Sequence, residues 1–314
     1  MNMPLEQTGR GRVLRGLCTQ LWQNRYLFLL LLPGLVYLLV FKYLPLYGIQ
    51  LAFKEYRIMK GITASPWVGF EKFADLLVEP DFWRAFANTL IIAFMKIAIG
   101  FPFPILLAVL INEFRVTRGK RFLQTVFTFP HFLSWVVMSG ILLNLLGNTG
   151  AINGMRAMLG LEKINYLFDK DLFRWLLVVT DIWKEAGWSA ILYMAAIAGI
   201  DPAIYEAAHI DGANRIQCIR HITLPGILRV IVVLLILRFG HLMEAGFMQV
   251  FNLYNPLVYS TGDILDTYVY RMTFEKMADY GRSTAIGLFT GVTNFILLLT
   301  ANRLSKRLGH SGIL

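Results

Sequence analysis

Residues 206–225 read EAAHIDGANRIQCIRHITLP, a polar stretch set between long apolar runs. Just upstream, Asp201 is a good helix N-cap, and Pro202 takes the first helical position, where a missing N–H costs nothing. A short helix is predicted through Tyr205, Glu206, Ala207 and Ala208. Asp211-Gly212 breaks it, because glycine reaches a positive φ without a steric penalty. A second helix is expected from Ala213 to His221, closed by Thr223-Leu224-Pro225 before the next apolar run. Two short helices joined at a glycine make a compact knob, and the small side chains at 207 and 208 let a partner surface approach closely.

The chain around this knob is 314 residues long, 56% hydrophobic and 16% charged, with a mean hydropathy of +0.56. Soluble domains run near 25% charged, so the composition is that of a membrane protein. A hydrocarbon core about 30 Å thick needs roughly 20 apolar residues per helix. Six segments qualify, at about 26–48, 87–111, 122–146, 175–200, 227–248 and 283–302. Residues 122–155 and 283–302 hold no charged side chain. The fourth and fifth segments are interrupted by Asp181, Lys184, Glu185, Arg229, Arg238 and Glu244. The runs are continuously apolar rather than alternating, which argues against a strand-built barrel. The expected fold is therefore an all-α polytopic membrane protein with six transmembrane helices. Its parts are a basic tail at 1–25, a six-span domain at 26–302 with the knob at 201–225, and a second tail at 303–314. The segment at 49–86 mixes aromatics with charges and is expected to form short interfacial helices.

The net charge of +10 is explained by basic residues that hold inside loops in place. Arg10, Arg12, Arg15 and Arg25 precede the first span, Arg115, Arg118, Lys120 and Arg121 crowd the second loop, and Arg303, Lys306 and Arg307 follow the last. Both termini are accordingly expected in the cytoplasm. The knob offers only Arg215 and Arg220 as phosphate binders, so no nucleic-acid partner is expected. Cys18 and Cys218 fall on predicted inside segments, and His209 and His221 lack a third ligand at metal spacing. Neither a disulfide nor a metal site is expected. The N-terminal apolar run lacks a small-residue cleavage site and is not read as a cleavable signal.

Glu206, Ala207, Ala208, Gly212, Ile222, Leu224 and Pro225 together resemble the cytoplasmic coupling (EAA) loop of type I binding-protein-dependent ABC importer permeases. SPWVGFEKF at 65–73 and Asn88-Thr89 resemble the sugar-importer branch, and within it subunits that import oligosaccharides derived from polysaccharides. An alginate-oligosaccharide importer subunit is one particular candidate. The resemblance implies the type I importer permease fold in a bacterial inner membrane. It implies that Glu206, Ala207, Ala208, Asp211, Gly212, Ala213, Leu224 and Pro225 couple the chain to an ATPase subunit, with Glu206 supplying a polar or ionic contact. It further implies a solute-binding protein outside and a second, different permease subunit. The chain contains no G-x-x-x-x-G-K-[ST] phosphate loop, so it is expected to bind no cofactor and to be no enzyme, with ATP and Mg on the partner ATPase subunits.

A charged group inside a span costs about 2.5–3.5 kcal/mol on insertion scales and needs a partner or a water-filled path. Asp181, Lys184, Glu185 and Trp188 fall on one face of the fourth span, and Arg238, His241 and Glu244 form a stripe on the fifth. With Lys96, Trp183, Tyr193, Asn252 and Asn255 they are candidates to line a path for a hydrated sugar, through charged and amide partners for hydroxyls and aromatic faces for stacking. Lys96, Lys184 and Arg238 would favour an anionic sugar. The same charges are also readable as pairing among themselves, for example Lys184 with Asp181, or with another subunit, or as standing at the water interface. A different class, an ion-coupled secondary transporter using Asp181, Glu185 or Glu244, would need no ATPase; such folds commonly carry internal repeats, and none is visible here. An intramembrane hydrolase would need a nucleophile and base, and neither H-E-x-x-H nor G-x-S-x-G occurs.

Overall fold

The computed structural model describes residues 23–114, 116–275 and 279–307. Expectations for the tail residues 1–22 and 308–314, which include Cys18, and for Arg115 lie outside the described residues. Among the described residues the fold is all helical, with one isolated bridge between Lys54 and Trp67 and no strand. Helical runs long and apolar enough to cross a membrane are Arg25–Phe53, Pro80–Glu113, Trp135–Met158, Arg215–Gly240 and Tyr280–Arg307. A sixth is reached by taking Lys170–Ala198 together with Pro202–Ile210, the first helix of the knob, into which it bends by 70°.

Three runs pass through a proline by the same device. Widened π-turns at Leu39–Tyr43, Lys96–Gly100 and Ile219–Thr223 stand just ahead of Pro45, Pro102 and Pro225. A proline ring collides with the carbonyl four residues earlier and donates no hydrogen bond. In each case that carbonyl belongs to the π-turn, whose extra residue opens room for the ring. This corrects the expected stop at 223–225: the second knob helix runs from Arg215 through the π-turn into the fifth span and ends at Gly240.

The third span also departs from expectation. In place of one helix over 122–146 there are two, Thr117–Thr128 and Trp135–Leu146, separated by the tight turn Phe129–Phe132. Pro130 starts that turn, and the Ser134 hydroxyl caps the new helix by accepting from the Val137 N–H at 3.3 Å.

The fourth span runs through the centre of the molecule. Among its buried residues, Phe173, Leu177, Thr180, Lys184, Gly187, Ala190, Tyr193 and Ile197 recur every three or four positions and form one inward stripe along 29 residues, with Val178 beside it. One apolar cluster packs its upper half against Ile92, Met138, Leu242 and Val250, and another packs its lower half against Ala108 and Ile227. The first span is different: none of its apolar window is buried within this chain. Between the first and second spans lie the short helices Gly61–Ala64 and Glu71–Val78, the former held by Lys54, whose ammonium donates to the Ile62 carbonyl at 2.7 Å.

Candidate functional site

Every turn of the knob is made by local side-chain chemistry. Asp201 accepts from the Ala203 N–H at 2.9 Å and opens the first helix ahead of Pro202. That helix ends in a Schellman pattern: the Ala213 N–H reaches the Ala208 carbonyl at 2.8 Å, and the Gly212 N–H reaches His209 at 3.1 Å. Gly212 holds the left-handed position with φ of 81°. Two residues on, Asn214 and Gln217 form a reciprocal capping box at 3.0 and 2.7 Å and start the next helix. Glu206, Ala207, Asp211, Gly212, Leu224 and Pro225 are exposed, and Ala208 and Ala213 are half-buried. Ile210 and Ile216 also stand in the open, at 86% and 75% exposure, so the knob's surface is apolar as well as small. Cys218 is buried behind it as a free thiol.

Inside the spans, the buried Lys96 ammonium touches three groups at once: Asp181 Oδ1 at 3.0 Å, the Ala245 carbonyl at 2.9 Å and Gln249 Oε1 at 2.5 Å. Asp181 also faces Arg238, with Nη2 to Oδ2 at 3.7 Å. Gln249 in turn donates to the Leu177 carbonyl and the Thr180 hydroxyl at 2.8 and 2.7 Å. Gly246 permits this packing: its φ is 100°, and a Cβ there would stand 3.0 Å from the Lys96 ammonium. A cavity of about 170 Å³ opens beside this junction, lined by Lys96, Asp181, Glu185, Ser189, Tyr193 and Arg238 together with apolar side chains.

One helical turn along, Lys184 donates to the carbonyls of His131 at 2.6 Å and Leu133 at 2.8 Å, with Pro130 at 3.4 Å. The His131 and Leu133 carbonyls are ones that the break in the third span leaves without helical donors, whereas Pro130 still accepts from the Leu133 N–H at 3.2 Å. Gly187 lets the break come this close, because a Cβ there would overlap the Phe127 carbonyl. On the adjoining, more open face, His131 Nδ1 meets Glu185 Oε2 at 2.8 Å, and the His131 ring stacks on Trp188 at 4.6 Å with 2° between planes.

The structure thus joins Lys96, Asp181, Arg238 and Tyr193 at one cavity and gathers Lys184, Glu185 and Trp188 around the break at residues 129–134. His241 and Glu244 pair with each other at 2.9 Å in an exposed position. Trp183 is exposed on the fourth span. Asn252 donates to the Met248 carbonyl, and Asn255 donates to Leu167 and caps the turn at Pro256, so these two amides are engaged locally. Gln249 was absent from the sequence-derived set, and His131, although visible in the sequence as a polar residue of the third span, was not placed among the path candidates. A lone amide amid the apolar FMQVF and a histidine directly after a proline were the available signals.

Beyond the spans, Arg174 donates to Asn88 Oδ1 at 2.7 Å, while Asn88 donates to the Asp263 carbonyl at 3.0 Å, which ties the second and fourth spans to the segment at 256–275. In that segment burial works against the Arg271 charge, but its hydrogen bonds to Asp263 at 3.0 and 2.5 Å hold the guanidinium above its ordinary value. Among the described residues no cluster of His, Cys, Asp and Glu has the arrangement of a metal site.

Residues 100–310 match the family described as "Binding-protein-dependent transport system inner membrane component". The polygalacturonan/rhamnogalacturonan transport system permease protein YteP of Bacillus subtilis is 46% identical over 300 residues, covering 95% of this chain and 92% of the relative. Protein LplB of the same organism is 45% identical over 292 residues, covering 93% and 92%. Among solved structures, a chain of a bacterial alginate ABC transporter, in complex with an alginate pentasaccharide-bound periplasmic protein, superposes with a TM-score of 0.86 at 38% identity. That match covers 94% of this chain and 99% of the other.

Proposed function

The chain belongs to the family of inner membrane components of binding-protein-dependent transport systems, and from that premise we propose that it forms half of the path for an anionic oligosaccharide derived from a polysaccharide. The observation that carries this reading is the cavity where Asp181 and Glu185, on the helix that bends into the knob, meet Lys96 of the second span and Arg238 of the fifth. The cavity and the knob thereby lie on two helices joined by a single short bend. Family membership favours ATP-driven import over an ion-coupled secondary transporter, and the chain is a transport subunit rather than an enzyme.

In this reading the knob docks on an ATPase subunit, which carries ATP and Mg. Glu206 supplies its polar contact, and Ala207, Ala208, Gly212, Ala213 and the exposed isoleucines supply its close-packed one. Both termini face the cytoplasm of a bacterium. A second, different permease subunit covers the first span, whose apolar window finds no partner within this chain. A solute-binding protein delivers the sugar from outside, as suits a relative solved with a periplasmic protein bound to an alginate pentasaccharide. Arg238 is half-exposed and carries the positive charge toward the cavity, while Asp181, Glu185, Trp183, Trp188 and Tyr193 offer hydroxyl partners and stacking faces.

The test is a mild-detergent pull-down of the tagged chain, followed by uptake in proteoliposomes. The reading requires an ATPase, a second permease and a solute-binding protein in the complex. It also requires Arg238→Gln to weaken uptake of acidic oligosaccharides more than of neutral ones. A chain that purifies alone and transports without ATP would reinstate the secondary transporter.

A further inference from the structure

We infer that the hydrogen bond between Tyr205 and Thr223 is the link through which the knob moves the fifth span, making both hydroxyls positioning groups for coupling. The inference rests on the reading of the knob as the ATPase dock. Of the nine residues in Pro202–Ile210, only Tyr205 and Ala208 turn inward; the others are exposed. The Tyr205 hydroxyl lies 2.9 Å from Thr223 Oγ1, and Thr223 is 1% exposed at the start of the fifth span. No other side-chain hydrogen bond crosses from this helix to the helix that follows the glycine tip, among the described residues.

The placement of Thr223 gives that one bond leverage. It ends the π-turn Ile219–Thr223, where hydrogen bonds reach five residues back instead of four. Along the chain, a load applied at the exposed tip enters the fifth span through this turn. The Tyr205 hydroxyl bypasses the tip, the capping box and the π-turn, and delivers the load to the span directly. A second contact keeps the neck of the knob narrow. Ile200, at the exit of the fourth span, packs on Gly226, where a Cβ would stand 2.7 Å from Ile200 Cδ1. The two sides of the neck therefore meet at Tyr205–Thr223 and Ile200–Gly226, and the knob and the fifth span move as one body.

The link is separable from the fold because the substitutions that break it are nearly isosteric. Tyr205→Phe removes one oxygen, Thr223→Val replaces a hydroxyl by a methyl, and Thr223→Ser keeps the hydroxyl. The experiment uses the reconstituted complex with its ATPase, second permease and solute-binding protein. It reads ATP hydrolysed per oligosaccharide imported, alongside recovery of the ATPase in the pull-down. Tyr205→Phe and Thr223→Val are each expected to raise that ratio about three- to tenfold, as loss of one buried hydrogen bond allows, without loss of the ATPase. The double variant is expected to be no worse than either single, and Thr223→Ser to stay near the unaltered chain. An unchanged ratio in either single variant, or effects that multiply in the double, would overturn the link. Failure of the underlying reading looks different: the unaltered chain would not recover the ATPase at all, which removes the premise and the inference together.

Discussion

Lys184, on the fourth span, donates from its buried ammonium to the main-chain carbonyl of His131 at 2.6 Å, inside the break in the third span. A side chain here does what a continuous helix would do with backbone N–H groups. The carbonyls of His131 and Leu133 lose their helical donors where Phe129–Phe132 turns tightly, and one ammonium supplies both. The same residue therefore closes the span and orients His131 for its stack on Trp188.

Lys184→Met is expected to lower the thermal stability of the detergent-solubilised chain, since each buried carbonyl left unsatisfied costs about 1–3 kcal/mol. A melting curve of the purified subunit measures it. If Lys184 instead served the solute path, stability would hold and uptake of acidic sugars alone would fall.

Lys96 and Asp181 form a pair that neither the second nor the fourth span can leave open. Removing one partner of a buried pair costs about 3–5 kcal/mol, whereas replacing both with apolar groups is often close to neutral. Asp181 retains Arg238 when Lys96 is lost, so Lys96→Met is expected to cost less than Asp181→Leu. The double variant is expected to cost less than the two singles summed, read as shifts in the same melting curve. Strict additivity would show that the two charges do not stabilise each other.

Gly187 sets how closely the third and fourth spans approach. A Cβ there would overlap the Phe127 carbonyl, a backbone atom that cannot swing aside. Gly187→Val is expected to abolish recovery of a monodisperse complex. Gly291→Ala is the matched control, because a Cβ at 291 meets nothing within 4 Å. Relief of glycine's conformational entropy should leave that variant as stable as the parent, or more stable by about 0.5–1 kcal/mol. Equal behaviour of the two variants, by size-exclusion profile, would refute the close approach.

The knob was legible because its determinants are local. Asp201, Pro202 and Gly212 each act within a few residues of themselves, and their roles follow from side-chain type. The charges of the fourth span were legible as a face but not as individuals. Asp181, Lys184, Glu185 and Trp188 share one side of the helix, and which of them turns inward depends on a break in another helix some fifty residues away. Lys184 went to that break, Asp181 to Lys96, and Glu185 and Trp188 to the more open side with His131. The run from Arg215 through Pro225 was hidden for a different reason. A proline in sequence reads as a stop, and the π-turn that absorbs its ring leaves no signature in residue type.

Gly212 tests the knob by conformation rather than by volume. A Cβ at 212 meets nothing within 4 Å, so bulk alone is no obstacle in this chain. Its φ of 81° is the obstacle, because a side chain in the left-handed region costs roughly 1–2 kcal/mol and more if β-branched. Asparagine is tolerated there, and valine is not. Transport coupled to ATP hydrolysis is therefore expected to survive Gly212→Asn, to weaken in Gly212→Ala and to fail in Gly212→Val, while membrane insertion is retained in all three. The measurement is ATP hydrolysed per solute imported, with insertion followed by protease protection. A series graded by side-chain size, with asparagine worse than alanine, would mean that the tip is read by contact with its partner instead of by the turn it must hold. Normal transport in Gly212→Val would remove the knob from the coupling mechanism altogether.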